Sequence, residues 1–518
     1  MAMYPWFVEA VPDKSYKLMS VDTPPEPRLS GLDRVRDGVW SKGNAGEGMI
    51  IGVVDAGADA GRVLFIPEPE GMLPPPAKWK GRCDHGQTCN KSLIGVRSFV
   101  DTSNCHELKT QTMGGAGGSS GAGGSIQRAS APGIDYATAF AVAPKAHLAI
   151  YHVCNERRCD PEAVTAGMAA AVDDGVDVIS LFIGNEHDAV FHDEAVTVPS
   201  YRALAQGVLV CTPAGSSGPD MYKVESSAPW LLAVAVSDTD RRVVTNVELG
   251  NGILKPDVSA PGLSAVAALP PHGDDVEDSD ARLRAAASTA AAHVSGVAAM
   301  IKKAHNEWSP AAVKSALVTT AHPLRPADAL TGGGASYFVT GAGEVDPADA
   351  MDPGLVYDLT AEDFVPCLCG MKLSEDELNK IVEPANASCA ETGVIPAKDL
   401  NYPSIMIVMD DDVQQVEAKR TVTNVGEPVE TYVVETIAPG VEVVVRPTTL
   451  AFTDLGQKME FVVTVKREAN TPAKAVIEGE LKLVSEKHVV RSPMVVVVGE
   501  TAASSVSDSN TDVASTES

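Results

Sequence analysis

Ser288 stands in the stretch Ala286-Ala287-Ser288-Thr289-Ala290-Ala291-Ala292-His293-Val294-Ser295-Gly296. Behind it an Ala-rich apolar segment with helical spacing runs through Met300 and ends near Trp308. At a helix start the backbone N–H groups are free and the macrodipole is positive. A serine there suits a nucleophile whose attack creates an oxyanion, and it equally suits an ordinary N-cap. Asp55 closes the apolar run Met49-Ile50-Ile51-Gly52-Val53-Val54 and is followed by Ala56-Gly57. Buried parallel strands look like this, and an acid at the carboxyl end of one lies where α/β sheets place their sites. A turn or cap role is the plain alternative for Asp55. A serine hydroxyl is a weak nucleophile near neutral pH and needs a base within hydrogen-bond reach. His293 lies five residues beyond Ser288. That is more than one turn along the helix and on a different face, so it makes a poor base. His85 and His106 fall in loop-rich sequence and read as surface or packing residues.

The elements that would hold these residues follow from periodicity. Residues 147–154, 176–183, 208–214 and 230–236 read as apolar strands. Residues 160–174 and 193–206 carry helical spacing, the first opened by Asp160-Pro161. Repeated β–α–β units predict a mostly parallel sheet with helices on both faces. Residues 255–262 and 264–269 lead to an acidic loop at 274–280, and Ser309-Pro310 opens a further helix through Thr320. Residues 60–113 read as loop-rich. The run GGAGGSSGAGG at 114–124 has neither a preceding strand nor a following Lys-Ser/Thr, so it reads as a flexible loop rather than a phosphate cradle. Residues 1–20 read as a strand, a turn and a short extended tail, and 21–48 as an extended arm. After about residue 395 the runs become short and β-branched, at 405–409, 417–425, 431–435, 441–445, 460–465 and 495–498. This predicts an all-β sandwich over 396–500. Residues 501–518 lack apolar anchors and read as a disordered tail.

The net charge of −28 and the pI near 4.7 exclude nucleic acid and anionic membrane as natural partners. No apolar run approaches the roughly 20 residues that span a bilayer. The opening Met-Ala-Met-Tyr-Pro-Trp has neither the basic nor the apolar region of a signal peptide, so no secretory route is visible in these residues. Nine cysteines leave at least one unpaired within a monomer. Cys83/Cys89 and Cys154/Cys159 are close enough for local bridges, and Cys367, Cys369 and Cys389 form a later cluster. No C-x2-C pair or ligand-spaced histidine points to zinc, and no oxygen-rich loop points to calcium. No metal and no cofactor are expected. Asn90-Lys91-Ser92 and Asn386-Ala387-Ser388 are glycosylation sequons, relevant if the chain is secreted.

Several stretches together resemble the plant subtilisin-like serine proteases, the subtilases of the S8 type. Ile50-Ile51-Gly52-Val53-Val54-Asp55-Ala56-Gly57 is similar to the family strand that carries the triad aspartate. Residues 143–154 (APKAHLAIYHVC), Lys255-Pro256-Asp257-Val258-Ser259-Ala260-Pro261-Gly262, residues 308–321 and 341–358 (GAGEVDPADAMDPGLVYD) match other family stretches. Ser288 with His293-Val294-Ser295-Gly296 falls on Gly-Thr-Ser-Met-Ala-x-Pro-His-Val-Ser-Gly, with Ser288 on the nucleophile. Asp399-Leu400-Asn401-Tyr402-Pro403-Ser404-Ile405 resembles the opening of the family's fibronectin-III-like domain. The resemblance implies a remnant of the inhibitory propeptide at 1–20, a peptidase domain at 21–395 and serine-endopeptidase ancestry. It also implies peptide or protein substrates and a secreted, apoplastic setting. Oligomeric state is not implied. The inserted protease-associated domain of the family is missing, because Leu249-Gly250-Asn251-Gly252 runs almost directly into Lys255-Pro256-Asp257.

The departures fall on the chemistry. Aligning the small-residue run puts Gly117 where the family has its triad histidine, in Gly-His-Gly-Thr-His-Thr. Ser216, in Ala214-Gly215-Ser216-Ser217-Gly218-Pro219, takes the place of the oxyanion asparagine. Phe182-Ile183-Gly184 replaces the substrate-binding Ser-Leu-Gly. Subtilisin itself supplies the magnitudes: losing the histidine costs on the order of 10⁶ in kcat. Losing the oxyanion asparagine costs on the order of 10²–10³. The expectation is a degenerate family member with little or no activity. The alternatives are an active endopeptidase with a substitute base, and a non-catalytic protein that binds peptides or proteases.

Overall fold

The computed structural model describes residues 16–18, 39–55, 68–69, 71–84, 89–100, 125–131, 134–140, 142–155, 158–185, 194–215, 227–237, 252–262, 265–268, 281–284, 287–324, 336–371, 373–383 and 387–499. Its centre is a seven-stranded sheet. In chain order the strands are β1 (Ile50–Asp55), β2 (Leu93–Ser98), β3 (His147–His152), β4 (Val178–Leu181), β5 (Leu209–Pro213), β6 (Leu232–Ser237) and β7 (Val258–Pro261). Their spatial order is β7-β6-β5-β4-β1-β3-β2, and every pair is parallel. From β1 the chain first builds one side of the sheet and then the other. The carboxyl end of β1 therefore lies at the centre of the edge where such sheets bind ligands.

The unbroken apolar run of β1 has a direct cause: both of its faces are covered. Ile50 and Val54 pack with Val164 and Met168 of α1 (Pro161–Asp174) and with Tyr201 and Leu204 of α2 (Thr197–Ala205). Ile51 and Val53 point the other way and pack with Ala290, Val294 and Ala298 of α3 (Ala287–Ala304). The period of two along the strand thus builds two separate cores. Residues 288–302 of α3 are buried on every side, as expected of a helix apolar all round. Its alanines let it lie close to the sheet. At its end Lys302 donates to the Gly207 carbonyl (2.8 Å). The next helix, α4 (Pro310–Thr319), is capped by Ser309, whose hydroxyl accepts from the Ala312 amide (3.0 Å).

The stretch expected to be loop-rich contains β2. Gly95 breaks its β pattern, yet a Cβ there would lie 2.6 Å from the Trp79 ring. The glycine admits the indole; it does not end the strand. Within the stretch 264–269, Ala265–Ala268 is a strand that pairs antiparallel with Ala281–Arg284. The glycine run 114–124, the acidic loop 274–280 and the tail 501–518 lie outside the described residues.

The C-terminal part is a sandwich of two sheets. One joins β8 (Leu355–Val356), β10 (Gln415–Asn424), β14 (Lys458–Arg467) and β12 (Val441–Arg446). The other joins β9 (Ile405–Met409), β16 (Val489–Val498), β15 (Ala475–Val484), β11 (Glu430–Ile437) and β13 (Thr449–Phe452). The boundary at 395 is not clean. Leu355 and Val356 pair with Asn424 and Thr423 inside the sandwich. The chain then returns to the first domain, where Phe364, Leu368, Leu378 and Ile381 join the core beneath Trp230. The sequence signal failed here because a two-residue strand carries no periodicity.

A buried polar cluster ties the two parts together. Asp257 accepts from Lys255 Nζ (2.7 Å) and the Ala233 amide (2.7 Å), and lies 3.1 Å from Lys314 Nζ. The Tyr402 hydroxyl, at the entry to the sandwich, donates to Asp257, and Lys314 reaches the same hydroxyl. Burial pushes the Asp257 carboxyl up, but the two ammonium groups outweigh it and hold it below the usual range. Burial pulls the Lys314 amine well down and the Tyr402 phenol well up. The cluster therefore sets one buried carboxylate against two amines, with the Tyr402 phenol bridging it to Lys314.

Candidate functional site

The direction of α3 sets the geometry. His293 Nδ1 meets the Pro261 carbonyl at the end of β7 (2.8 Å), Ser295 donates to Ser180 inside β4 (2.9 Å), and Lys302 reaches Gly207 just before β5. The helix therefore starts at the carboxyl edge of the sheet and runs back across it. Ser288 lies in its first turn, 9% exposed, at the positive end of the dipole. Asp55 ends β1 at the same edge, 2% exposed, with its backbone carbonyl accepting from the Val153 amide (3.0 Å). Both predicted acid and predicted nucleophile are thus brought to one edge of the sheet. Gly117 and Ser216 lie outside the described residues, as do His85, His106 and Asn386; the last described residue before Ser216 is Gly215, at φ 129°. Asn90 is exposed, and its Oδ1 accepts from the Ser92 and Leu93 amides (2.9 and 2.7 Å).

His293 is a packing residue. Burial lowers its pKa, the Pro261 carbonyl opposing, and its ring is committed to β7. The sequence reading did not single out His152. In the strand register it stands opposite Asp55 on one side and Ser98 on the other. Ser98 Oγ lies 3.1 Å from its Nδ1, and the Cys154 carbonyl lies 2.8 Å from its Nε2. No periodicity or motif in the sequence could reveal this; it follows only from the pairing of three strands.

Phe182 and Ile183 are buried, at 3% and 1% exposure, on opposite faces of the sheet. Their side chains belong to the two cores, so what this stretch offers a ligand is its backbone. That backbone is used. Ile183–Asn185 pairs antiparallel with Tyr16–Leu18, in the register Tyr16↔Asn185, Lys17↔Gly184 and Leu18↔Ile183. On its other side Tyr16–Leu18 pairs with Arg158–Cys159, which pairs in turn with Cys154–Asn155. The N-terminal segment is therefore an inserted strand, held along both edges. The Cys154–Cys159 disulfide staples the hairpin that forms one wall of this groove. Cys83–Cys89 and Cys369–Cys389 are also bridged, whereas Cys211 and Cys367 are buried thiols. Burial pushes both thiols up to about 12, so neither is a reactive nucleophile.

Among the described residues no helix is long and apolar enough to cross a membrane. Residues 399–496 match the Fibronectin type-III domain family, in agreement with the sandwich. The chain is similar to Subtilisin-like protease SBT4.13 of Arabidopsis thaliana, at 28% identity over 625 aligned positions, covering 90% of this chain and 84% of that protein. It is 30% identical to Subtilisin-like protease SBT4.10 of the same plant over 605 positions, covering 94% of this chain and 84% of the relative. Both alignments are longer than the 518-residue chain, so these relatives carry residues that it lacks. Residues 46–343, which contain the whole parallel sheet, Asp55 and Ser288, match the Subtilase family, and the chain belongs to that family of plant subtilisin-like serine proteases.

Proposed function

We propose that this chain is a subtilase with little or no hydrolytic activity that retains a cleft for an extended peptide. The observation that carries this reading is the inserted strand: Tyr16–Leu18 is bound by backbone pairing to Ile183–Asn185 and to Arg158–Cys159. An extended peptide is recognised in this way by strand addition, in which main-chain bonds supply affinity. The loss of hydrolysis rests on the alignment that puts Gly117 on the triad histidine and Ser216 on the oxyanion asparagine. Without the triad imidazole the Ser288 hydroxyl lacks its general base and keeps its proton. The direct run from Gly252 to Lys255, together with relatives that carry extra residues, supports loss of the protease-associated insertion. Three disulfides fit an oxidising compartment, as expected for the secreted setting of the family. Its ligands are then peptides or proteins.

A second reading, hydrolysis with a substitute base, has one observation in its favour: His152 stands opposite Asp55 in the strand register. Against it, both ring nitrogens face other partners, Ser98 and the Cys154 carbonyl. Fluorophosphonate labelling of the full chain decides between the two. The expected result is no labelling of the parent or of Ser288→Ala, and labelling of Gly117→His. Labelling of the parent that disappears in both Ser288→Ala and His152→Ala would overturn the inactive reading and install His152 as the base.

A further inference from the structure

Beside β7 an imidazole and two carboxylates converge at His322, Asp346 and Asp349. His322 follows α4, Asp346 follows the short pairing of Glu344 with His322 and Ser259, and Asp349 begins a 3-10 turn (Asp349–Met351). One donor atom from each lies within 4.8 Å of the other two. We propose that His322, Asp346 and Asp349 form a binding site for a divalent first-row transition ion of the zinc type, through one imidazole nitrogen and two carboxylate oxygens.

Three features carry this. The donors come from segments whose backbones are already fixed: His322 and Glu344 exchange both backbone bonds at 2.8 Å, and the Ser259 amide–Gly343 carbonyl and Val345 amide–Ser259 carbonyl bonds lock the second segment to β7. Gly343, at φ 118°, admits this closeness, because a Cβ would lie 2.0 Å from the His322 carbonyl oxygen. Asp346 is oriented as metal-ligating carboxylates are: Oδ1 accepts from the Ala348 and Asp349 amides (2.8 and 3.1 Å), leaving Oδ2 turned to His322 Nε2 (2.8 Å). The third feature is charge. Two carboxylates would balance a dication, and a mixed nitrogen–oxygen set suits zinc or its neighbours better than calcium or magnesium.

The other imidazole between carboxylates shows the contrast. His488 lies 2.8 Å from Glu430 and 3.3 Å from Asp352, but the Glu430 oxygens are already taken by Ser485 and Tyr432. That cluster is closed on itself. The one at His322 is open on the solvent side, with the imidazole 53% exposed.

The test is zinc titration of the chelator-treated full chain, by calorimetry and by competition with a chromophoric chelator. The expected result is one ion per chain and a rise in Tm with zinc. His322→Ala and Asp349→Asn should each weaken binding by about tenfold or more and abolish the Tm rise, with the metal-free Tm unchanged. Asp346→Asn keeps the oxygen that caps Ala348 and Asp349, so it should fold and still lose affinity. No binding at millimolar zinc, or binding that His322→Ala and Asp349→Asn leave intact, would overturn the proposal.

Discussion

At the residue scale the chain separates what its fold needs from what its chemistry needs. Asp257 is the clearest case of the first. It balances Lys255 and Lys314 in a dry site, and Tyr402 completes its hydrogen bonds. Removing the acid leaves two buried amines without a counter-charge, whereas removing the phenol leaves the ion pair in place. Asp257→Ala should therefore cost about 3–5 kcal/mol. Tyr402→Phe should cost about 1–3 kcal/mol, the desolvation of groups left unmet. Urea unfolding followed by tryptophan fluorescence measures both, and equal losses would refute this ranking. Asp55 and Ser288 are the residues proposed for the second, and their places at the end of a strand and the start of a helix were legible in the sequence. Asp55 closes a run that only a two-sided strand explains, and Ser288 opens a helix of alanines. The partner of Lys314 was not legible, because Tyr402 lies 88 residues further along and no local pattern links them.

At the scale of elements, most of the parallel sheet was readable because its central strands are buried on both faces and its helices are long enough to show their period, whereas the edge strand β2, half of it only partly buried, was not. The groove was not. Tyr16–Leu18 has only three residues, and its two partners are a three-residue strand and a two-residue strand. Such pieces are defined by who pairs with whom. The readable signs were the spacing of Cys154 and Cys159, which allowed a local bridge, and the place of Phe182-Ile183-Gly184 on the family's substrate-binding stretch. The inserted strand has a measurable consequence. A tethered segment competes with any added peptide at an effective concentration in the millimolar range. Proline at position 17 removes a ladder donor from a strand paired on both sides, a place where proline is not tolerated. Lys17→Pro should thus open the groove, and a fluorescent peptide copying residues 12–20 should bind the variant about tenfold or more tighter than the parent, by anisotropy. Equal binding to both would mean that the strand is not what fills the groove. Cleavage of that peptide, by contrast, would speak only to the question of activity.

At the scale of the molecule, three of the contacts that couple the sandwich to the peptidase-like domain among the described residues bear on stability. Tyr402 enters the Asp257 cluster. Arg491 of β16 donates to the Ala321 and Ala342 carbonyls. The connector before β8 is pinned where Asp352 meets His488 and where a Cβ on Gly354 would lie 2.4 Å from the Tyr432 hydroxyl oxygen. The third place gives the coupling a pH dependence. Burial alone would raise the Glu430 carboxyl, but hydrogen bonds from Ser485, His488 and Tyr432 outweigh it and hold its pKa below the usual value. A carboxyl that ionises more readily folded than unfolded stabilises the fold fully above its unfolded pKa, and that contribution is lost as the pH falls through the folded one. The stability difference between the parent and Glu430→Gln should accordingly be largest near neutrality and shrink between about pH 5 and about pH 3. Urea midpoints across that range, read by far-UV circular dichroism, would show the two curves converging toward acid. Curves that stay parallel would mean that Glu430 is not the group that ties the connector to the sandwich in its ionised form.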